Sequence, residues 1–506
     1  MIARVRSVGL HGIHAVGIWV EVDVVNGLPS FATVGLPDSS VRESRDRIRA
    51  AIKNSGYDFP IERITVSLAP ADIRKEGPAF DLPMALGILA AEGPLKPERL
   101  KGLAVVGELS LDGAVCPVRG ALPMALQCRR DGVSRLLVPE ANAAESAAIA
   151  GVKVIPLATL RQTIEYLQGE RAIPEAAPPL VAPGELPPDG IDFAEVRGQA
   201  HAKRALEVAA AGAHNVLMLG PPGAGKTMLS RRLPTILPPP SLEEAIEVSA
   251  IWSAAGLLPS GRGLVSARPF RAPHHTVSEA ALIGGGGRLH PGEVSLAHLG
   301  VLFLDEIPEF SRRALESLRQ PLEEGEVTIT RAAGSTAFPA RFQLVAAANP
   351  CRRACRSMEQ CVCTPAEREH YVGRLSGPLL DRIDLHLELP AVDIAELTGE
   401  PSGECSVSIR ARVTAARARQ AARFEGTGIR VNARIGARLL RRWCALPPDA
   451  ARLLARAVTC LGLSARAYHR IVRVARTIAD LEGSEGITAE HVSEAVQYRT
   501  LDRRAS

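Results

Sequence analysis

Two hydrophobic periods alternate along the chain. Val20-Glu21-Val22-Asp23-Val24 and Ile64-Thr65-Val66-Ser67-Leu68 place an apolar residue at every second position, the period of a strand with one buried face. Val41–Asn54 and Leu82–Ala91 read as helices. Residues 1–170 therefore form an α+β domain. Pro174, Pro178, Pro179, Pro183, Pro187 and Pro188 mark 171–190 as an extended linker. From 191 to 400 the apolar runs Asn215–Leu219, Val301–Leu304 and Leu344–Ala348 alternate with helical stretches, which suits an α/β sheet covered by helices. Residues 401–506 are helical, with helices expected over Ile409–Phe424, Ala433–Cys444, Asp449–Cys460, Ala465–Leu481 and Ala489–Tyr498. Ser464 and Thr488 stand where N-caps belong.

Composition adds three points. Hydrophobic residues make up 46% and aromatics only 4%, so the cores rest on Ala, Leu, Val and Ile. No apolar run approaches the roughly 18 residues of a membrane span, and Met1–Arg6 is not followed by a signal-peptide core. A cytoplasmic protein with no membrane partner is expected. The net charge of +5 is uneven: from Cys405 to Ser506 there are 19 Arg, no Lys and 8 acids. Such a tail is either an electrostatic footprint for nucleic acid or a solvated helical face. In Ala465–Leu481 the arginines Arg466, Arg470, Arg473 and Arg476 recur beside an apolar face, so one edge can offer guanidiniums to a phosphate.

The chemistry is concentrated after 215. Gly220-Pro221-Pro222-Gly223-Ala224-Gly225-Lys226-Thr227 is a G-x-x-x-x-G-K-T phosphate loop between an apolar run and a helical one. Its glycines let backbone N–H groups cradle phosphate oxygens at a helix N-terminus. Lys226 can reach the β- and γ-phosphates, and Thr227 can hold Mg²⁺. Val301–Leu304 ends in Asp305-Glu306, where the Asp serves the Mg²⁺ shell and the Glu polarises the attacking water. ATP and Mg²⁺ are thus the expected substrate and cofactor. Cys351, Cys355, Cys361 and Cys363 offer four thiolates within thirteen residues, either for one tetrahedral Zn²⁺ or as reduced thiols.

These motifs, with Asn349-Pro350-Cys351, Ser376-Gly377-Pro378-Leu379-Leu380-Asp381-Arg382-Ile383-Asp384-Leu385 and Arg268-Pro269-Phe270-Arg271-Ala272-Pro273-His274-His275, occur in this order in the magnesium-chelatase-like AAA+ ATPases. The chain resembles their YifB/ComM type over nearly its whole length. The resemblance implies an α/β P-loop AAA+ core, an N-terminal Lon-protease-like α+β domain and a C-terminal helical domain. It also implies a homo-hexameric ring that moves branched DNA during recombination of incoming DNA. Asn349 resembles the sensor-1 residue that orients the attacking water. Arg382 resembles the finger that reaches a neighbouring subunit's γ-phosphate, with an ion pair to Asp381 or Asp384 as the alternative. Arg466 resembles the sensor-2 arginine. A hairpin at 326–331 and 337–342 and the glycine-rich segment 282–292 resemble channel loops, so Arg331, Arg288 and His290 are candidate DNA contacts or plain surface residues. The family pattern puts its second cysteine two residues after the first, where this chain has Arg353.

The Lon-like resemblance rests on Ala69–Pro78 and Val106–Gly113. The proteases carry a nucleophilic Ser where this chain has Ala79, and a Lys where it has Met124, so no Ser–Lys dyad is expected. The alternative function is a magnesium-chelatase-type ATPase subunit that remodels a partner protein.

Overall fold

The structure is a computed structural model that describes residues 2–179, 190–259, 261, 263–286, 289–331, 334–353, 355, 361–391 and 403–499. The chain divides into two compact units. One is Met1–Ala182 with Ser241–Ser266 and Gly287–Pro291; the other is Pro183–Pro240 with Ala267–Gly286 and Gly292–Ser506. The division does not follow the chain end to end. Residues 241–266, which lie inside the ATPase segment by sequence order, belong to the first unit, and the C-terminal helices share a unit with the ATPase sheet.

In the first unit, β1 (Ile2–His11), β2 (His14–Val25), β3 (Ser30–Val34), β4 (Arg63–Ala69), β5 (Leu103–Val105), β6 (Arg135–Pro139) and β7 (Lys153–Leu157) form one sheet in the order β3-β4-β2-β1-β5-β6-β7. The alternation seen in the sequence sets the buried face: Val20, Val22, Ile64, Val66 and Leu68 are all buried. Helix α1 (Ser39–Asn54) starts where the Asp38 carboxylate accepts from the Val41 N–H at 2.9 Å. Helix α2 (Asp81–Glu92) is apolar on nearly every side and is buried to match. It lies so close to the sheet that a Cβ at Gly87 would stand 2.6 Å from a Val22 methyl. Helix α3 (Ala121–Arg130) packs with helix Leu242–Ala255, and Ser253 accepts from the Gly120 N–H at 3.0 Å. Ala79 and Met124 both lie in the apolar cluster under α3.

The second unit is built on β8 (Val216–Leu219), β9 (Phe270–Arg271), β10 (Val301–Leu304), β13 (Gln343–Ala348) and β14 (Leu385–Glu388), with the hairpin β11 (Glu326–Arg331) and β12 (Gly334–Pro339) between. The five sheet strands run parallel in the order β9-β10-β13-β8-β14. Their apolar runs are continuous because both faces are covered. Val216, Met218, Val301, Phe303, Val345 and Ala347 face one core with helices α4 (Ala200–Gly212) and α5 (Lys226–Ile236). Leu217, Leu302, Leu304, Leu344 and Ala346 face the other. The hairpin's second strand starts at Gly334, opposite Arg331, and ends at Pro339, three residues before the expected end.

Helix α6 (Pro365–Val372) precedes β14, and the C-terminal helices are α7 (Ser406–Arg423), α8 (Ala437–Trp443), α9 (Pro448–Leu461), α10 (Ala465–Glu482) and α11 (Ala489–Gln497). Helix α8 begins later than the periodicity predicts. The buried Asn432 amide donates to Thr477 at 3.1 Å and Asp480 at 2.8 Å, which holds 432–434 in a separate 3₁₀ turn. Among the described residues no helix is long and apolar enough to cross a membrane.

Candidate nucleotide site and thiol cluster

The phosphate loop leaves β8 at Gly220, whose N–H donates to the Ala348 carbonyl of β13 at 3.1 Å. Gly220 has no room for a side chain, since a Cβ would meet the Leu389 carbonyl at 2.7 Å. Gly223 and Gly225 take positive φ of 78° and 81° with open space around them, and α5 starts at Lys226. Pro221, Pro222 and Ala224 complete the loop, with Ala224 buried beneath it. This is the backbone form that turns N–H groups toward an anion.

Three neighbouring strands end together here. The Lys226 ammonium donates to the carbonyls of Gly220 (2.6 Å) and Pro221 (2.9 Å) and to Asn349 Oδ1 (3.0 Å). Burial lowers its pKa, against the pull of Asp305 and Glu306. The Thr227 hydroxyl donates to Asp305 Oδ2 at 2.9 Å. A hydroxyl and a carboxylate so placed fit Mg²⁺, one as a direct ligand and the other on its water shell. Glu306 follows Asp305 with φ +50°, a left-handed value uncommon outside glycine. Its half-exposed carboxylate lies 4.0 Å from His275 Nδ1. The sequence motifs had picked out the loop, the acid pair and Asn349. They gave His275 no role; its signal was only its place in the Arg268–His275 stretch.

Arg382 and Arg466 stand at the other end of the sheet. The Asn215 side chain, just before β8, donates to the Arg382 carbonyl at 2.9 Å. The four residues of β8 lie between Asn215 and Gly220, a span of about 16 Å at ~3.3 Å per residue step. Arg382 pairs with Glu323, not with Asp381 or Asp384, and donates to the Pro378 carbonyl. Asp381 pairs instead with Arg466 at 3.4 Å, and Asp384 with Arg470 at 2.7 Å. Asp384 is buried and also lies 3.2 Å from His214 Nδ1. Burial raises its pKa, but Arg470, His214 and Arg473 outweigh this and hold it below the ordinary carboxylate range.

The row of α10 arginines is a partial correction to the sequence reading. Arg476 is buried and donates to the carbonyls of Ser484 and Glu485 at 2.7 Å each, so it offers no guanidinium to a ligand. Arg412, Arg419 and Arg423 are likewise engaged within the unit. Arg438, Arg441, Arg452 and Arg456 of α8 and α9 remain exposed.

The four clustered cysteines do converge. The sulfurs of Cys351, Cys355, Cys361 and Cys363 all lie within 4.8 Å of one another. Four thiolates fit tetrahedral Zn²⁺, whose Zn–S bonds of ~2.3 Å set sulfurs ~3.8 Å apart. Cys355 fills the place that Arg353 leaves empty; Arg353 instead lies 3.8 Å from Glu367 in α6. Thr364, next to Cys363, caps α6 by accepting from the Glu367 N–H at 3.2 Å.

Of the candidate DNA contacts, Arg288 lies outside the described residues, as does the side chain of Arg331. The Arg331 backbone ends β11, and His290 lies in a two-residue strand, His290–Pro291.

Comparison with known proteins gives the family. Models described as magnesium chelatase subunit ChlI match residues 192–397, 20–142 and, for its C-terminal part, 403–499. YifB of Salmonella typhimurium is 44% identical over 99% of this chain and 98% of its own length. The competence protein ComM of Haemophilus influenzae is 43% identical over the same shares. Lon protease 2 of Bacillus subtilis is 26% identical over 31% of this chain and 27% of its own. The chain therefore belongs to the YifB/ComM type of the magnesium-chelatase-like family, a group of AAA+ ATPases.

Proposed function

We propose that the protein is an ATP-driven ring motor that acts on DNA and moves branched junctions, with ATP hydrolysed between subunits. The observation that carries this reading is the distance of Arg382 and Arg466 from the phosphate loop of their own chain. A guanidinium at that end of the sheet is of use to a nucleotide only if a second copy presents its own loop there, as in a closed homo-hexamer.

Within one site the roles divide as follows. Gly220–Thr227 grip the triphosphate, and Lys226 exchanges its carbonyl partners for phosphate oxygens. Thr227 and Asp305 hold Mg²⁺, which neutralises phosphate charge when bound. Glu306 takes the proton of the attacking water, Asn349 orients that water, and Arg382 and Arg466 of the next copy offset the charge of transfer. Cys351, Cys355, Cys361 and Cys363 hold one Zn²⁺ that fixes the loop after Asn349. With Ala79 and Met124 in place of a dyad, the Lon-like domain has no peptidase activity.

DNA as the partner is supported by the relative named for competence, a process of DNA uptake, and by the exposed arginines of α8 and α9. Contacts of this kind are to phosphates and are independent of sequence. The test is the ATPase rate with single-stranded, duplex and branched DNA over a salt series, alongside a junction-movement assay. Stimulation that fades steeply with salt, together with junction movement, is expected. No stimulation and no movement would overturn the DNA reading in favour of a subunit that remodels a partner protein.

A further inference from the structure

Glu306 is short of support. Among the described residues its carboxylate has one ion-pair neighbour, His275, with Nδ1 4.0 Å from Oε2. The imidazole, by contrast, is well placed. Its ring lies 4.0 Å from that of His274 and meets the Phe310 ring edge-on at 6.5 Å. His274 is itself tied to Thr276 at 2.9 Å. The segment is delivered by β9, which pairs with β10 through Phe270–Val301 and Arg271–Leu302. Arg271 anchors it with two bonds to Glu293 at 2.7 and 2.8 Å. The strands that lead to Glu306 and to His275 are therefore held in register.

We infer that His275 is a positioning residue for Glu306: its Nδ1–H directs the carboxylate toward the attacking water. This rests on the reading of Glu306 as the group that takes the water's proton. A carboxylate only accepts hydrogen bonds, while a neutral imidazole can donate from Nδ1. The proposed hydrogen bond forms when the glutamate turns to bring the pair from 4.0 Å to bonding distance. A half-exposed glutamate loses rotamer freedom when it is fixed. An imidazole already fixed by its ring neighbours removes part of that cost before the nucleotide arrives.

The experiment compares His275→Ala, His275→Gln, Glu306→Gln and the double variant His275→Ala/Glu306→Gln as full-length proteins. It measures kcat and KM for ATP, the Kd of a fluorescent ATP analogue, and thermal unfolding. His275→Ala is expected to lower kcat about tenfold with the analogue's Kd unchanged. His275→Gln, which keeps an N–H donor, should recover much of the loss. On the Glu306→Gln background the histidine change should cost nothing more, because the group it positions is gone. The inference is overturned if His275→Ala keeps the parent kcat while Glu306→Gln is inactive, and equally if the two losses multiply. An analogue Kd that rises, or a melting temperature that falls, in both histidine variants would also overturn it, since the residue would then serve binding or folding. Near-parent turnover in Glu306→Gln would instead remove the underlying assignment of Glu306, and the inference with it.

Discussion

The two ends of the parallel sheet in the second unit are both polar, but in different ways. Where β8, β10 and β13 end, Lys226 bonds Asn349 and two carbonyls, and Thr227 bonds Asp305. Each of these bonds is one that a phosphate or Mg²⁺ can replace at little cost. Where the same strands begin, guanidiniums are matched to carboxylates, as in Arg470–Asp384, Arg466–Asp381 and Arg382–Glu323. The first end gathers, within one chain, the groups that would grip phosphate and Mg²⁺ on the proposed reading. The second holds a buried ion pair that ties the helices to the sheet, and beside it two arginines whose partners are exchangeable. Glu323 is 57% exposed although the Arg382 side chain it meets is only 10% exposed, while Arg466 and Asp381 are 68% and 36% exposed; an exposed pair such as the second contributes only ~0–1 kcal/mol.

Substitutions can break this contrast. The largest effect is expected for Arg382→Ala: on the proposed reading kcat falls by about 10³-fold or more, as for other finger arginines, while nucleotide binding is kept. Glu306→Gln should bind ATP and lose about 10²–10⁴-fold in turnover. Equilibrium binding beside single-turnover hydrolysis separates the two effects.

Asp384→Asn should act on stability, not on chemistry. It strips the charge from a buried partner of Arg470, which costs ~3–5 kcal/mol and is read from denaturant unfolding. The sign with pH follows from the held-down carboxyl. The stability that Asp384 contributes is fully present above the ordinary carboxyl pKa of about 4 and is lost as pH falls below it. The variant should therefore show a shallower acid loss than the parent protein. Smaller in effect on turnover, Cys361→Ser with Cys363→Ser should release about one Zn²⁺ per chain, read by elemental analysis. No zinc in the parent protein purified without chelator would leave the thiols free.

The sequence made the nucleotide end legible because each group there sits in a short contiguous motif: Gly220–Thr227, Asp305-Glu306 and Asn349. The pairing of Lys226 with Asn349 was not legible, since it depends on β8 and β13 lying side by side, 123 residues apart in the chain. Periodicity found the helices but not their uses. Arg470 and Arg476 look alike in the pattern of α10, yet Arg470 reaches Asp384 beside the sheet, while Arg476 is held by Asp480 of its own helix and by two carbonyls of the following loop. The attachment of 241–266 to the first unit had no local signal at all. Its apolar face reads the same whichever core it meets, and only the packing of Ala245 and Ser253 on α3 decides.

The central claim is that the two ends of the sheet meet across subunits, and mixing two inactive variants tests it most directly. Lys226→Ala lacks a working loop but keeps Arg382; Arg382→Ala lacks the finger but keeps the loop. When the purified proteins are combined with ATP, Mg²⁺ and DNA, the account predicts hydrolysis well above that of either alone. It should rise with the mixing ratio to a maximum between the pure samples. Hydrolysis that stays at the sum of the two separate rates, in samples shown by light scattering to contain mixed rings, would contradict it.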